Sequence, residues 1–381
     1  MWAVVGSLPV GPPVFHQAVR PDAVPDEITS DKTRTRTWER SRAMVTMNLE
    51  QIAKLSGVSR STVSRVINND PNVSVVTREK VMQVVKRVNY TPNAAARGLA
   101  AGRTHVVGLV IPMGVAALFT DPYFPILIQG VSSACNAREY SVMLWLAEPE
   151  YERRMIRQIM YSGLVDGVIV SSMLLNDSLV QALSDGDLPF MLVGRHPTDT
   201  HASYVDADNI GGAREAVTHL LRLGRARVAT ITGPQNMIAG TDRLAGYLAA
   251  LHDRGVISDP GLIVEGDFTE AGGYRAMQQL LSRRLDAVFA ASDIMAIGGL
   301  RALREAGLRV PEDVAVVGFD DLPQSARTEP PLTSVRQPIY RLGTTAVDSL
   351  LDLFEYPDSS PRRIVLPTEL VVRASCGSAL R

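Results

Sequence analysis

The sequence predicts a chain in two parts, a small all-α head followed by an α/β core of two parallel-sheet subdomains. Three observations lead to this. Residues 47–90 carry apolar stripes of helical period, separated by cap and turn residues. From Val106 onward short apolar runs alternate with helical stretches, too many for one ordinary open sheet. The charge divides at the same place: residues 47–104 hold nine Lys and Arg against three Asp and Glu, and residues 105–381 hold 24 against 32. The net charge of −1 conceals that split. A basic block on an acidic chain fits a polyanion partner for that block alone, or a solvated basic face.

At 381 residues the chain is too long for one ordinary domain. With 46% apolar and 21% charged residues it has the composition of a core-forming protein rather than a disordered one. No run approaches the roughly 18 apolar residues of a membrane span. Cys135 and Cys376 cannot build a disulfide framework, which fits a reducing, cytoplasmic compartment. The opening MWAVVGSLPVGPPVF has Gly, three Pro and no basic region, which argues against a secretory signal.

Residues 1–46 show neither helical nor strand period and are expected to be a disordered extension. Met44 and Met47 offer starts close to the first helix, and the extension is expected to be dispensable. The alternative is a basic arm, since Arg34, Arg36, Arg40 and Arg42 cluster there. In residues 47–90, Leu49, Ile52 and Ala53 share a first helical face that Gly57 ends. Ser59 is an N-cap for a second helix with Val63, Val66 and Ile67 inward. After the turn cluster Asn68-Asn69-Asp70-Pro71, Ser74 opens a third helix on Val81, Val84, Val85 and Val88. Helix, glycine turn, helix and supporting helix make a helix-turn-helix arrangement. Residues 91–104 read as a linker or as a short helix that forms only against a partner. In the core, residues 105–381, strands are expected at 106–111, 141–147, 167–171, 188–194, 227–233, 262–266, 286–291 and 314–319.

The run NLEQIAKLSGVSRSTVSRVINNDPNVS resembles the helix-turn-helix of the LacI/GalR family of bacterial transcription regulators. Tyr90-Thr91-Pro92-Asn93 and RGLAAGRT resemble that family's hinge, and SDIMAIGGLRALREAGLRVPEDVAVVGFDD with PPLTSVRQP resembles its periplasmic-binding-protein-like core. The resemblance implies an all-α helix-turn-helix DNA-binding head at 47–90 and a hinge at 91–104. It implies an effector-binding and dimerisation core at 105–381, with one subdomain near 105–206 plus 337–364 and the other near 207–334 plus 365–381.

A recognition helix leads into the major groove with its N-terminal side chains. The base-reading candidates are Arg60, Ser61 and Arg65, because arginine bonds guanine O6 and N7 in pairs. Ser59, Thr62, Ser64, Asn68 and Ser74 offer small donors for phosphates. By resemblance Leu99 is the hinge residue that wedges into the minor groove, flanked by Asn93, Ala96 and Arg97, although Gly98 weakens a helix there. A sugar effector calls for a carboxylate, a guanidinium and an aromatic face. The resemblance implies Arg243, Phe268 and Asp293, with Arg195, Tyr123, Phe124 and Gln337 as further lining candidates. Asp293 is alternatively a helix N-cap. The loop after Ile111-Pro112 is about five residues longer than the family pattern and lacks its first acidic residue.

The expected function is a sequence-specific DNA-binding regulator, a repressor, acting as a homodimer on a pseudo-palindromic double-stranded operator. A small effector, most simply a sugar, controls its operator affinity as inducer or corepressor. The rival is a solute-binding protein of a sugar uptake system, which needs a leader peptide and leaves the basic block unexplained. An enzyme is not expected. The chain has no G-x-G-x-x-G after a strand, P-loop, H-E-x-x-H or G-x-S-x-G elbow, and no lysine after Lys86. The six histidines are scattered without metal-ligand spacing, so no metal and no cofactor are expected.

Overall fold

The computed structural model describes residues 47–90, 103–111, 115–146, 152–171, 175, 178–196 and 202–378. Residues 1–46, and with them the expectation of a disordered extension, lie outside this set, as do 91–102. The chain divides into two compact units at Pro92.

The first unit holds α1 (Leu49–Ser56), α2 (Arg60–Ile67) and α3 (Val75–Arg87). Asn48 and Gln51 exchange side-chain to backbone hydrogen bonds at 2.9 Å in both directions, which satisfies two orphan donors of α1. Gly57 ends α1 at φ +62°, a left-handed conformation that costs glycine nothing. Ser59 and Ser74 accept from the amides of Thr62 and Thr77 and cap α2 and α3. Ile52, Ala53, Val63, Val66, Val81 and Val84 close the small core.

The second unit contains two six-stranded sheets. Sheet one is ordered β11-β5-β4-β3-β1-β2, from β1 (Val106–Ile111), β2 (Ser141–Leu146), β3 (Gly167–Ser171), β4 (Phe190–Val193), β5 (Tyr204–Ala207) and β11 (Arg363–Leu366). Sheet two is ordered β12-β10-β9-β8-β6-β7, from β6 (Val228–Thr232), β7 (Ile263–Glu265), β8 (Ala287–Ala290), β9 (Ala315–Asp320), β10 (Thr333–Arg336) and β12 (Glu369–Val371). Every pairing is parallel except that of β10 with β12. The two sheets therefore repeat one topology, β1 to β5 in the first and β6 to β10 in the second.

Helices cover both faces of each sheet. In sheet one Val107, Leu109 and Ile111 pack into one cluster with α4 (Val115–Thr120), α5 (Tyr123–Ala137) and α12 (Ile339–Glu355). Val110, Val168 and Val170 face the other way, against α6 (Glu152–Tyr161) and α7 (Ser178–Ser184). In sheet two α10 (Glu270–Leu280) and α11 (Asp293–Glu305) cover one face, and α8 (Asn209–Arg222) and α9 (Ile238–Asp253) the other. The chain crosses between sheets after β5, after β10 and after β11.

The eight expected strands are present, and β5, β10, β11 and β12 join them. These four are three or four residues long and mix polar with apolar residues. The buried Thr333 and Ser334 of β10 are polar because their hydroxyls have partners, which an apolar-run criterion misses. The long segment after β1 contains α4, with Leu118 buried.

Candidate functional site

In parallel α/β sheets, chain leaving the strand C-termini forms the ligand crevice where strand order reverses. Here those ends converge on one cavity of about 720 Å³, counting the part open to solvent. Asp121, Tyr123 and Phe124 follow β1, and Val193 and Gly194 follow or end β4. Asp206 lies in β5, Met237 to Ala239 follow β6, Phe268 follows β7 and Ser292 follows β8. Asp320 ends β9 and Gln337 follows β10.

Arg243 reaches this wall from α9. Its Nε donates to Asn209 Oδ1 at 2.9 Å, and its Nη1 to the Ala291 carbonyl at 2.6 Å and to Asp320 Oδ1 at 3.2 Å. Its guanidinium lies 3.8 Å from the Phe319 ring centroid and 5.9 Å from that of Phe268. Gln337 Nε2 donates to the same Asp320 oxygen at 2.6 Å. Asp320 holds φ +114° and Phe268 holds φ +60°. Non-glycine residues adopt such backbone at a cost of about 1–3 kcal/mol each, strain that clusters at ligand sites.

Burial shapes the electrostatics. It pushes the Asp206 carboxyl up to about 6, against the lowering effect of Arg195. Burial likewise raises Asp320 well above the usual carboxylate range despite Arg243 beside it, and raises Asp121 and the Tyr123 phenol. Three carboxylates and one guanidinium thus line a cavity with three aromatic rings. Carboxylate oxygens accept from hydroxyl donors, and the rings offer apolar faces. Among the described residues no group of three or more His, Cys, Asp and Glu could hold a metal.

Five of the seven ligand candidates, Arg243, Phe268, Tyr123, Phe124 and Gln337, line this cavity. Asp293 does not, and the expectation for it is corrected. It is wholly buried, accepting at 2.8 Å from the Leu322 amide and at 2.5 Å from the hydroxyls of Ser325 and Ser334. Nor is it the helix cap: Ser292 caps α11, accepting from the Met295 amide at 3.2 Å. Asp293 binds three segments of its own fold together, and Asp320 holds the cavity place expected for it. Arg195 is corrected too. It is not a lining residue: its guanidinium is paired with both oxygens of Asp242 and with Asp206 at 3.2 Å. Asp121, Asp206, Asn209 and Asp320 escaped the sequence reading. For Asp320 the signal was there, since it directly follows the expected strand 314–319; Asp206 lies in β5, which the apolar-run criterion misses.

On the DNA-reading candidates, Arg60, Ser61 and Arg65 are exposed on α2, opposite its buried Val63 and Val66. The Arg65 Nε lies 3.9 Å from the Asp70 carboxylate, and its side chain is 66% exposed. Ser59 and Ser74 are caps, and Ser59 Oγ also bonds the hydroxyls of Ser61 and Thr62 at 2.8 Å. Thr62 and Ser64 are half-buried, and Asn68 is the exposed C-cap residue of α2. Asn93, Ala96, Arg97 and Leu99 lie outside the described residues.

A helix-turn-helix unit joined to a two-sheet core with a strand-end cavity defines a ligand-responsive DNA-binding regulator. Residues 48–93 match the model of bacterial regulatory proteins, lacI family, and residues 217–376 match that of a periplasmic binding protein-like domain. The HTH-type transcriptional regulator CelR of Thermobifida fusca is 43% identical over 331 residues, 86% of this chain and 97% of that one. The structure of a CelR–cellobiose complex superposes with a TM-score of 0.70 at 41% identity, covering 86% of this chain and 99% of that one. The Lac repressor dimer bound to operator and the anti-inducer ONPF gives a TM-score of 0.77 at 30% identity, covering 87% and 99%. The chain belongs to the LacI family of bacterial transcription regulators.

Proposed function

We propose that this regulator is a non-catalytic homodimeric repressor in the cytoplasm, and that its effector is an uncharged sugar. The reading is supported above all by the Asp320–Arg243 pair set beside Phe268 in the strand-end cavity. Asp320, Asp206, Asp121 and Asn209 accept from sugar hydroxyls, Arg243 and Gln337 donate, and Phe268, Tyr123 and Phe124 cover the ring. The single lining guanidinium is already bonded to Asn209, the Ala291 carbonyl and Asp320, which disfavours phosphorylated or acidic sugars. The cellobiose held by a relative of 41% identity makes a glucose disaccharide the first candidate. Arg60, Ser61 and Arg65 read base edges from α2, while Ser59, Thr62, Ser64, Asn68 and Ser74 meet phosphates. In this reading Asn93, Ala96, Arg97 and Leu99 form the hinge contact with the minor groove.

An effector changes operator affinity only through a difference in its affinity for the two states of the core. The test is isothermal titration of the full chain with cellobiose, ribose and glucose 6-phosphate. It is paired with fluorescence anisotropy on the DNA that the protein selects from a random pool. Cellobiose binding that shifts the DNA affinity supports the reading, and the sign of the shift separates inducer from corepressor. Binding of glucose 6-phosphate in preference to every neutral sugar overturns it.

A further inference from the structure

The chain reaches β1 from the DNA-binding unit through Arg103, Thr104 and His105, and there it is clamped. Asp166, the residue before β3, accepts from the Thr104 amide at 2.5 Å, the Thr104 hydroxyl at 2.9 Å and the His105 amide at 2.9 Å. The Thr104 hydroxyl in turn accepts from the Val106 amide at 3.2 Å. Arg103 donates to the Phe354 carbonyl at 3.0 Å, and its guanidinium lies 5.8 Å from the Phe354 ring centroid. His105 takes φ +56° and sets its ring 5.0 Å from that of Tyr140.

The same device occurs in sheet two. Asp286, the residue before β8, accepts from the amides of Ala226 and Arg227 at 2.7 and 2.9 Å, just before β6. Strands β6 and β8 hold the places in sheet two that β1 and β3 hold in sheet one. Arg225 takes the place of Arg103 and donates to the carbonyls of Asp286 at 3.3 Å and Pro311 at 2.6 Å. The two clamps differ in what precedes them. Arg225 follows α8, which is itself packed against sheet two. Arg103 follows residues 91–102, the tether of the DNA-binding unit. The first clamp also has the extra hydroxyl bond of Thr104 and the left-handed His105, which its counterpart Arg227 does not share.

We propose that Asp166 is a positioning residue for operator recognition: it anchors the core end of the segment that leads to the DNA-binding unit. The proposal rests on the DNA-binding reading. In a dimer, two heads engage two half-sites together only when their tethers hold them at the half-site spacing. A loosened tether lowers that effective concentration and so weakens specific binding. Each head keeps its own phosphate contacts, so binding to random DNA is spared.

The internal repeat supplies the control. Full-length Asp166→Ala and Asp286→Ala each remove one clamp aspartate, and a purely structural role makes them equivalent. Both variants and wild type are compared by thermal melting and by anisotropy, on the DNA that wild type selects from a random pool and on random DNA. The expected result is a lowered melting temperature for both. Asp166→Ala alone binds the selected DNA at least tenfold more weakly, with random-DNA affinity within twofold of wild type. Asp286→Ala stays within twofold on both. Equal losses in the two variants, or an unchanged Asp166→Ala, overturn the proposal. If Asp166→Ala does not fold, Asp166→Asn against Asp286→Asn makes the same comparison. Asparagine keeps one acceptor oxygen, and a loss below threefold for Asp166→Asn overturns the proposal. A wild-type chain that selects no DNA overturns the DNA-binding reading itself, and the proposal with it.

Discussion

Arg243 and Asp320 lie side by side at the cavity wall, with Nη1 3.2 Å from Oδ1, although one stands on α9 and the other ends β9. Only Oδ1 of Asp320 accepts from Arg243 and Gln337. Asp320 therefore holds Arg243 and Gln337 through one oxygen at the cavity wall.

Asp320→Asn is expected to weaken cellobiose binding by at least tenfold while sparing DNA binding without sugar. Hydrogen bonds to a charged group contribute about 1.5–3 kcal/mol, and about 1.4 kcal/mol is a factor of ten. Asparagine preserves an acceptor for Arg243, which keeps the buried guanidinium from being left alone. Titration calorimetry beside anisotropy on the selected DNA checks both parts. Unchanged cellobiose affinity refutes the role.

Asp293→Ala is expected to lower stability without touching effector affinity. It strands the Leu322 amide and two buried hydroxyls, each lost partner costing about 1–3 kcal/mol. The melting temperature should drop, and the cellobiose affinity of the folded protein should stay within threefold of wild type. A selective loss of cellobiose binding would return Asp293 to the cavity.

The core is expected to lose stability as pH rises from about 4 to about 6. Burial raises the folded-state carboxyl of Asp206 to about 6, and it raises Asp293, Asp320 and Asp121 in the same direction. A group whose folded value lies above its unfolded one contributes stability that is present below about 4 and lost on passing through about 6. For Asp206 alone the difference is about 3 kcal/mol. Asp313, held down at about 2 by Arg309, acts only at more acid pH. Denaturant unfolding at pH 4, 5, 6 and 7 measures the slope. Asp293→Asn should flatten it, because the amide does not charge: its oxygen accepts from Leu322 and Ser325 while its NH2 donates to the Ser334 oxygen. A stability that climbs steadily over this range contradicts the assignment.

Arg65→Ala is expected to cost about 1–3 kcal/mol on the selected DNA and to relax base choice at one position per half-site. Random-DNA affinity should change far less. Equal losses on both DNAs, with the salt slope falling by about one, would mark Arg65 as a phosphate contact instead.

Gly57→Ala is expected to destabilise the helix-turn-helix unit by about 1 kcal/mol through backbone conformation alone. The added Cβ meets only Lys80 Nζ, at 3.4 Å, so packing is spared, while φ +62° disfavours any side chain. Amide exchange of Ile52 and Val81 should quicken by about fivefold. Exchange at the wild-type rate would refute the strain argument.

The head was legible in the sequence because its interactions are local. The stripe Val81, Val84, Val85, Val88, the caps Ser59 and Ser74, and the break at Gly57 all act within a few residues of themselves. The central strands β1, β3, β4, β6, β8 and β9 were legible too, since burial on both faces demands a continuous apolar run. The short strands β5, β10, β11 and β12 were not, because a strand of three or four mixed residues is defined by its neighbour rather than by its composition.

The cavity was legible only in part, and Asp293 and Asp320 show why. Both are aspartates just past or at a predicted strand end, and sequence alone ranks them equally. The folded chain separates them: Asp293 turns into the first turn of α11 and is consumed by Leu322, Ser325 and Ser334, while Asp320 is held at φ +114° facing Arg243. Which buried aspartate lines the cavity depends on donors 29 to 41 residues away in sequence. The sequence by itself thus determined the class of head, the two-sheet core and the residue types of the site. Tertiary structure decided which carboxylate faces the cavity, because hydrogen-bond satisfaction between distant segments is a property of their packing and not of local pattern.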